Sequence, residues 1–182
     1  MNIFCLSTGR CGSMTFSKSF SHATNFTSGH ETHARWVGND YFIYPDAHIE
    51  SDNRLSWMLG SLEKYYGDNP IYVHLYRDTE EVVKSYSKRY SKDLISGIMY
   101  GFGHGILQQP SIYSPEGIAE VAEMYVEVVT RNIESFLTNK TKVIRFDVAD
   151  PENSIRRIWE MGGIEGDIQK ALQEWSYIHN QS

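Results

Sequence analysis

The chain has 182 residues, a formal net charge of −6, 41% hydrophobic residues and two cysteines. That length suits one domain with a real core, the acidic balance argues against nucleic acid as a main partner, and two cysteines do not make a disulfide scaffold. No apolar run approaches a membrane span, and Met1-Asn2 with its short apolar run lacks a signal-peptide pattern, so a reducing cytoplasm is the expected setting.

The first predicted element is a strand near residues 2–7, carrying Ile3, Phe4, Cys5 and Leu6. The loop Ser7-Thr8-Gly9-Arg10-Cys11-Gly12-Ser13 follows, then a helix near 13–21. Strand, glycine-containing loop and helix together present backbone N–H groups and a helix N-terminus to an anion. Arg10 adds a fixed cation, and Ser13 and Thr15 add hydroxyls. The loop is not a Walker A motif, because the chain contains no Gly-Lys-Ser or Gly-Lys-Thr. A cysteine-phosphatase loop counted from Cys5 would need Arg at position 11, where Cys11 stands. An ordinary tight strand-to-helix turn is the simpler alternative. Among N–H groups and beside Arg10, the Cys11 thiol is expected to have a lowered pKa, although it reads as a small loop residue rather than a nucleophile.

Residues 22–48 are mixed, rich in His, Gly and aromatics, with room for a short strand. A helix is predicted near 50–66, with Ile49, Leu55, Met58, Leu59 and Leu62 on its buried side. Gly67-Asp68-Asn69-Pro70 ends it. Ile71, Val73 and Leu75 then alternate with Tyr72, His74 and Tyr76 in a strand over 71–76. Arg77 and Asp78 close that strand, and a helix over 79–91 begins with Asp78 or Thr79 as cap and Glu80 and Glu81 at its positive end. Ser85 lies two turns in, where its hydroxyl and the Arg77 guanidinium can converge on one phosphate. Lys84, Lys88, Arg89 and Lys92 cluster after Arg77 and read as a solvated helix face, with a role in cofactor or acceptor binding as the alternative. The stretch 92–115, with Gly97, Gly101, Gly103, Gly105 and Pro110, reads either as a binding loop or as a glycine-broken helix on the core. Ser114 and Pro115 open a long helix to about residue 138. A strand near 142–146 and helices near 152–161 and 166–178 complete the chain, with Asp150 as cap of the first. Alternating strands and helices imply an α/β fold with a mostly parallel sheet flanked by helices, as one domain over 1–182. Ligands in such sheets lie outside the strand C-termini.

The motifs STGRCGS and RDTEEVVKSY, in that order, resemble those of sulfotransferases that use 3′-phosphoadenosine-5′-phosphosulfate (PAPS), in particular small bacterial-type members. Lys142 to Gly163 is a weaker likeness to the family's late strand and helix. The resemblance implies a three-layer P-loop-like fold and metal-independent, in-line sulfuryl transfer from PAPS to a hydroxyl, leaving 3′-phosphoadenosine-5′-phosphate (PAP). It implies that Arg10, Cys11, Gly12, Ser13, Met14 and Thr15 hold the 5′-phosphosulfate, and that Arg77 and Ser85 hold the 3′-phosphate. Arg10 replaces the lysine of many relatives and cannot act as a proton donor. A general base is needed near the phosphosulfate; Thr27 to Arg35, TSGHETHAR, offers Glu31, His30 and His33, with Glu31 placed as in the bacterial type. The acceptor is then expected to be a small-molecule, carbohydrate or lipid hydroxyl, with a phenol or peptide tyrosine among the candidates. Segment 22–48, with 92–115 if that stretch is a binding loop, is expected to line its pocket. Trp175, Tyr177 and Asn180 are conceivable adenine contacts. The rival readings are a low-molecular-weight phosphatase using Asp150-Pro151, a small-molecule P-loop kinase, and a catalytically degenerate nucleotide-binding module. Oligomeric state is not legible.

Overall fold

The computed structural model describes residues 1–89, 95–109 and 114–177. Lys92, Pro110 and Asn180 lie outside them. Five strands form one sheet in the order β2-β3-β1-β4-β5. They are β1 (Ile3–Leu6), β2 (Thr27–His30), β3 (His48–Ser51), β4 (Ile71–Tyr76) and β5 (Val143–Asp147). Every pairing is parallel. β1 sits in the middle, wholly buried as IFCL, because a parallel strand between two others is covered on both faces.

The helices cover both faces. Helix α1 (Ser13–Phe20) packs Phe16 against Phe146 of β5 at 5.7 Å. Beside it lie α6 (Pro151–Gly162) and α7 (Ile168–Gln173), the latter continued by a 3₁₀ turn over Glu174–Ser176. On the other face, Phe4 meets Tyr66 of α2 (Leu59–Tyr66) and Tyr72 meets Phe136 of α5 (Pro115–Leu137). Helix α3 (Thr79–Ser87) lies along α5. The three-layer α/β architecture is therefore as expected. No helix among the described residues is long and apolar enough to cross a membrane.

The local signals act largely as read. Asp78 caps α3 by accepting from Glu81 N, and Ser114 caps α5 by accepting from Gly117 N, with Pro115 in its first turn. Asp150 stands at the N-cap of α6, but its carboxylate makes no cap hydrogen bond. The predicted helix near 50–66 is a correction. Its first part is strand β3, followed by a 3₁₀ turn over Asn53–Trp57 and then α2. The strand hides polar side chains by pairing them. His48 Nε2 meets Glu50 Oε2 at 2.9 Å, and His48 Nδ1 meets Thr27 Oγ1 at 2.8 Å. Asp52 then ends the strand and caps the turn through Arg54 N. The glycine-rich stretch is a helix in its described part, α4 (Gly97–Met99), running on as a π-helix over Tyr100–Ile106 with Met99 and Phe102 buried.

Candidate functional site

The site is built at the C-terminal ends of β1, β2, β3 and β4. After Leu6 the chain turns sharply, with φ of 79° at Gly9, 60° at Arg10 and 84° at Gly12. A Cβ on Gly9 would lie 2.7 Å from Tyr86 Oη and 2.9 Å from Asn53 Nδ2, so the turn has room for glycine alone. The loop is tied down from beneath. Ser56 Oγ donates to Ser7 O at 3.0 Å, and the hydroxyls of Tyr86 and Tyr125 both donate to Thr8 O. Gly12 is the left-handed N-cap of α1 and has no side chain to cap it, so the first amides of α1 open outward.

The two motifs meet. Arg10 Nε donates to Ser85 Oγ at 2.9 Å, across 75 residues of sequence. Arg77 Nη1 reaches the Arg10 carbonyl at 3.4 Å, while Arg77 Nη2 pairs with Glu81 at 3.0 Å. Burial first, and then the neighbouring charges of Arg89 and Arg77, pull the Arg10 pKa below its ordinary value. Mutual repulsion of this kind marks a cationic patch that an anion would relieve.

Facing this patch is the end of β2. Ser13 Oγ and His30 Nε2 are 3.0 Å apart. Glu31 follows in a left-handed conformation, φ 55°, with its side chain 39% exposed and its Oε2 2.9 Å from Arg54 Nη2. Arg10, Ser13, Met14, His30 and Glu31 share one cleft of about 660 Å³ with Asn53, Arg54, Tyr86, Arg89 and Ser96–Ile98. A larger groove, about 860 Å³, lies between α3 and α5 away from the Ser7–Ser13 loop. The cleft, unlike the larger groove, gathers residues of the N-terminal loop, the end of β2 and the turn after β3.

Other expected residues fall elsewhere. His33 is buried, stacked between Trp36 and Tyr44 at 4.1 and 4.4 Å, and its Nδ1 lies 3.0 Å from Tyr41 O. It does not line the cleft. Thr15 is buried in α1, with its carbonyl accepting from Ser19 Oγ. The expected low pKa of Cys11 is a correction: the thiol is buried, donates to Gly9 O, and burial pushes its pKa up. Burial pushes Cys5 up as well. Neither thiol is a ready nucleophile. Among the described residues, no group of three or more His, Cys, Asp or Glu side chains could hold a metal ion.

Sequence reading missed Asp52, Asn53, Arg54 and Tyr86. Asp52 is fully buried and accepts from Arg54 Nε at 2.9 Å and from Tyr41 Oη at 3.2 Å. Burial raises the Asp52 pKa despite the hydrogen bonds and charge of Arg54 that oppose it. The Asp-x-Arg spacing at a strand end was the available signal, hidden by reading that strand as a helix. Trp175 was named only as a conceivable contact. Its ring sits over Gly12, where a Cβ would lie 3.4 Å away, and its buried Nε1 has no hydrogen-bond partner. His22 fastens the same segment through Glu174 at 2.9 Å.

No protein-family model matches the chain, and no curated protein matches it. Among solved structures it is similar to a "Sulfotransferase Domain from the Curacin Biosynthetic Pathway", with 14% identity and a TM-score of 0.68 over 98% of this chain and 78% of that one. At that identity the likeness is one of fold, and it extends along nearly the whole of this chain.

Proposed function

We propose that this protein is a sulfotransferase that takes a sulfuryl group from PAPS and passes it to a hydroxyl acceptor, releasing PAP. The carrying observation is the convergence of the two motifs: Arg10 and Ser85 hydrogen-bond at 2.9 Å and Arg77 reaches the same loop. The fold likeness to a sulfotransferase domain supports the reading.

The residues present fit such a donor. PAPS has two anionic ends; Arg10 stands on the glycine-bearing loop and Arg77 at the end of β4, and the two meet at that loop. In this reading Arg10 and the amides from Cys11 to Thr15 hold the 5′-phosphosulfate, whereas Arg77 and Ser85 hold the 3′-phosphate. Cys11 and Thr15 contribute backbone, since their side chains are buried. When bound, PAPS supplies the sulfuryl group and the leaving group.

The chain itself supplies electrostatics and a proton acceptor. Arg10 keeps its proton and offsets negative charge as it develops. Glu31 is the general base that takes the acceptor's hydroxyl proton, because its partly exposed carboxylate lines the cleft. His30 is the second candidate, and its Nε2 is engaged with Ser13. His33 is a packing residue. The phosphatase reading loses its nucleophile, since both thiols are buried with raised pKa values.

The test is PAP release from PAPS with sugar, alkyl and phenolic hydroxyl acceptors in the presence of a chelator. Acceptor-dependent release of PAP with sulfation of the acceptor is expected. Consumption of ATP in a parallel assay with magnesium and no chelator, without any PAPS turnover, would refute the reading in favour of a kinase.

A further inference from the structure

Glu31 is held by a chain of charged groups running from the core to the cleft wall. Its backbone is left-handed, φ 55°, a conformation that a non-glycine residue keeps only where its surroundings enforce it. Those surroundings are specific. Glu31 N donates to Ser51 O at 3.2 Å, and the next amide, Thr32 N, donates to Oε1 of fully buried Glu50 at 3.2 Å. The side chain forms an ion pair with Arg54, Oε2 lying 2.9 Å from Nη2 but outside hydrogen-bond geometry.

Arg54 is itself fixed. Its backbone N and its Nε both donate to Asp52 Oδ1 at 2.9 Å, and the other Asp52 oxygen accepts from Tyr41 Oη. Asp52 is wholly buried, Arg54 is 31% exposed and Glu31 is 39% exposed, so the series ends at the cleft. A merely structural pair would be complete with Asp52 and Arg54. A second carboxylate on the same guanidinium, placed at the cleft wall by a costly backbone turn, indicates a further purpose.

We propose that Arg54, clamped by Asp52, is a positioning residue for Glu31. It holds the carboxylate by Oε2 and directs Oε1 to the acceptor hydroxyl, whose proton Oε1 takes as the oxygen–sulfur bond forms. The planar fork of arginine is needed, because one group must bridge two carboxylates in fixed directions; lysine offers a point charge on a flexible stem. The proposal rests on the sulfotransferase reading and on Glu31 as its base.

The test is a double-mutant cycle on the full chain with Glu31→Gln, Arg54→Gln and the double variant. Three quantities are measured: kcat for PAPS turnover with 2-naphthol, glucose and 1-butanol as probe acceptors, PAP affinity by calorimetry, and thermal unfolding of the unliganded proteins. Arg54→Gln is expected to lower kcat about 10- to 100-fold through misplacement of the base, with PAP affinity kept. The double variant should be no slower than Glu31→Gln, and the unfolding midpoints should show coupling between the two positions. Arg54→Lys should fail to restore kcat. Since Arg54→Gln strands Asp52 in the core, Asp52→Asn/Arg54→Gln is run beside it and should reproduce the loss in kcat. Additive losses, an unchanged kcat in Arg54→Gln, or uncoupled unfolding midpoints would each overturn the proposal while PAP binding leaves the sulfotransferase reading intact. Failure of the wild type to bind PAP or turn over PAPS would instead refute that reading, and the proposal with it.

Discussion

The two walls of the cleft treat charge in opposite ways. On the α3 side burial and the nearby charges of Arg89 and Arg77 lower the Arg10 pKa, with Arg10 and Arg89 on the cleft wall and Arg77 lining a smaller neighbouring cavity with Thr8 and Cys11. On the β2–β3 side one guanidinium is shared by two carboxylates, and Asp52 and Glu31 hold the Arg54 pKa up against the effect of burial. The first wall gathers positive charge beside a glycine-bearing loop, partly offset by Glu81 at Arg77, so its field favours an anion. The second ties Arg54 to two carboxylates, keeps a net negative charge and places the Glu31 carboxylate at the cleft. Under the proposed function, one wall would hold the donor and the other would activate the acceptor.

Breaking the second wall should give the largest effect. Glu31→Gln is expected to lower turnover by about 100-fold or more, the usual worth of a general base, while calorimetry finds PAP binding little changed. Turnover at the wild-type level in that variant would move the base to His30. Next in size is the loop beneath the first wall. Gly9→Ala forces a Cβ against Tyr86 and Asn53 at positive φ and should cost about 1–3 kcal/mol, seen as a fall of several degrees in the thermal midpoint.

A third outcome concerns pH. Burial raises the Glu50 pKa, but hydrogen bonds from His48 and Thr32 outweigh it and hold the carboxyl below its ordinary value. A depressed carboxylate adds stability above its unfolded pKa, about 4.3, and loses it as pH falls through the folded value. Thermal midpoints measured against pH should therefore drop more steeply on acidification in wild type than in Glu50→Gln. The smallest effect should come from the rim, where Glu81 pairs with Arg77 at 3.0 Å and both side chains are well exposed. Glu81→Gln removes a competitor for Arg77 and should tighten PAP binding about two- to fivefold in the same calorimetric assay, the scale of an exposed ion pair.

The walls also differ in how far the sequence reveals them. The first wall was legible because it is made by local signals: the apolar run into Gly9, Arg10 and Gly12, and the alternating β4 strand with Arg77 at its end. Caps at Asp78 and Ser114 fixed the helices that follow, as their hydrogen bonds show. The second wall was obscured. β3 reads His-Ile-Glu-Ser, with no apolar alternation, because His48 and Glu50 are satisfied by each other, by Thr27 on β2 and by the Thr32 amide just beyond it rather than by solvent. Leu55, Leu59 and Leu62 then imitated a continuous helical face. With the strand misread, the Asp52–Arg54 pair had no strand end to belong to. His33 misled for the reverse reason, since an aromatic stack can bury a histidine as well as a cleft can use one. Cys11 followed the electrostatics of its neighbours in sequence, whereas in space desolvation dominates.

The central claim is that Arg10, Ser85 and Arg77 form one site for a nucleotide with two phosphate ends. Calorimetric titration with PAP, run beside AMP and ATP–magnesium on wild type and Arg77→Ala, tests it most directly. The account predicts tight binding of PAP alone, weakened in Arg77→Ala by about 2–4 kcal/mol through loss of a charge-assisted contact. A preference for ATP–magnesium, or PAP binding that Arg77→Ala leaves unchanged, would contradict it.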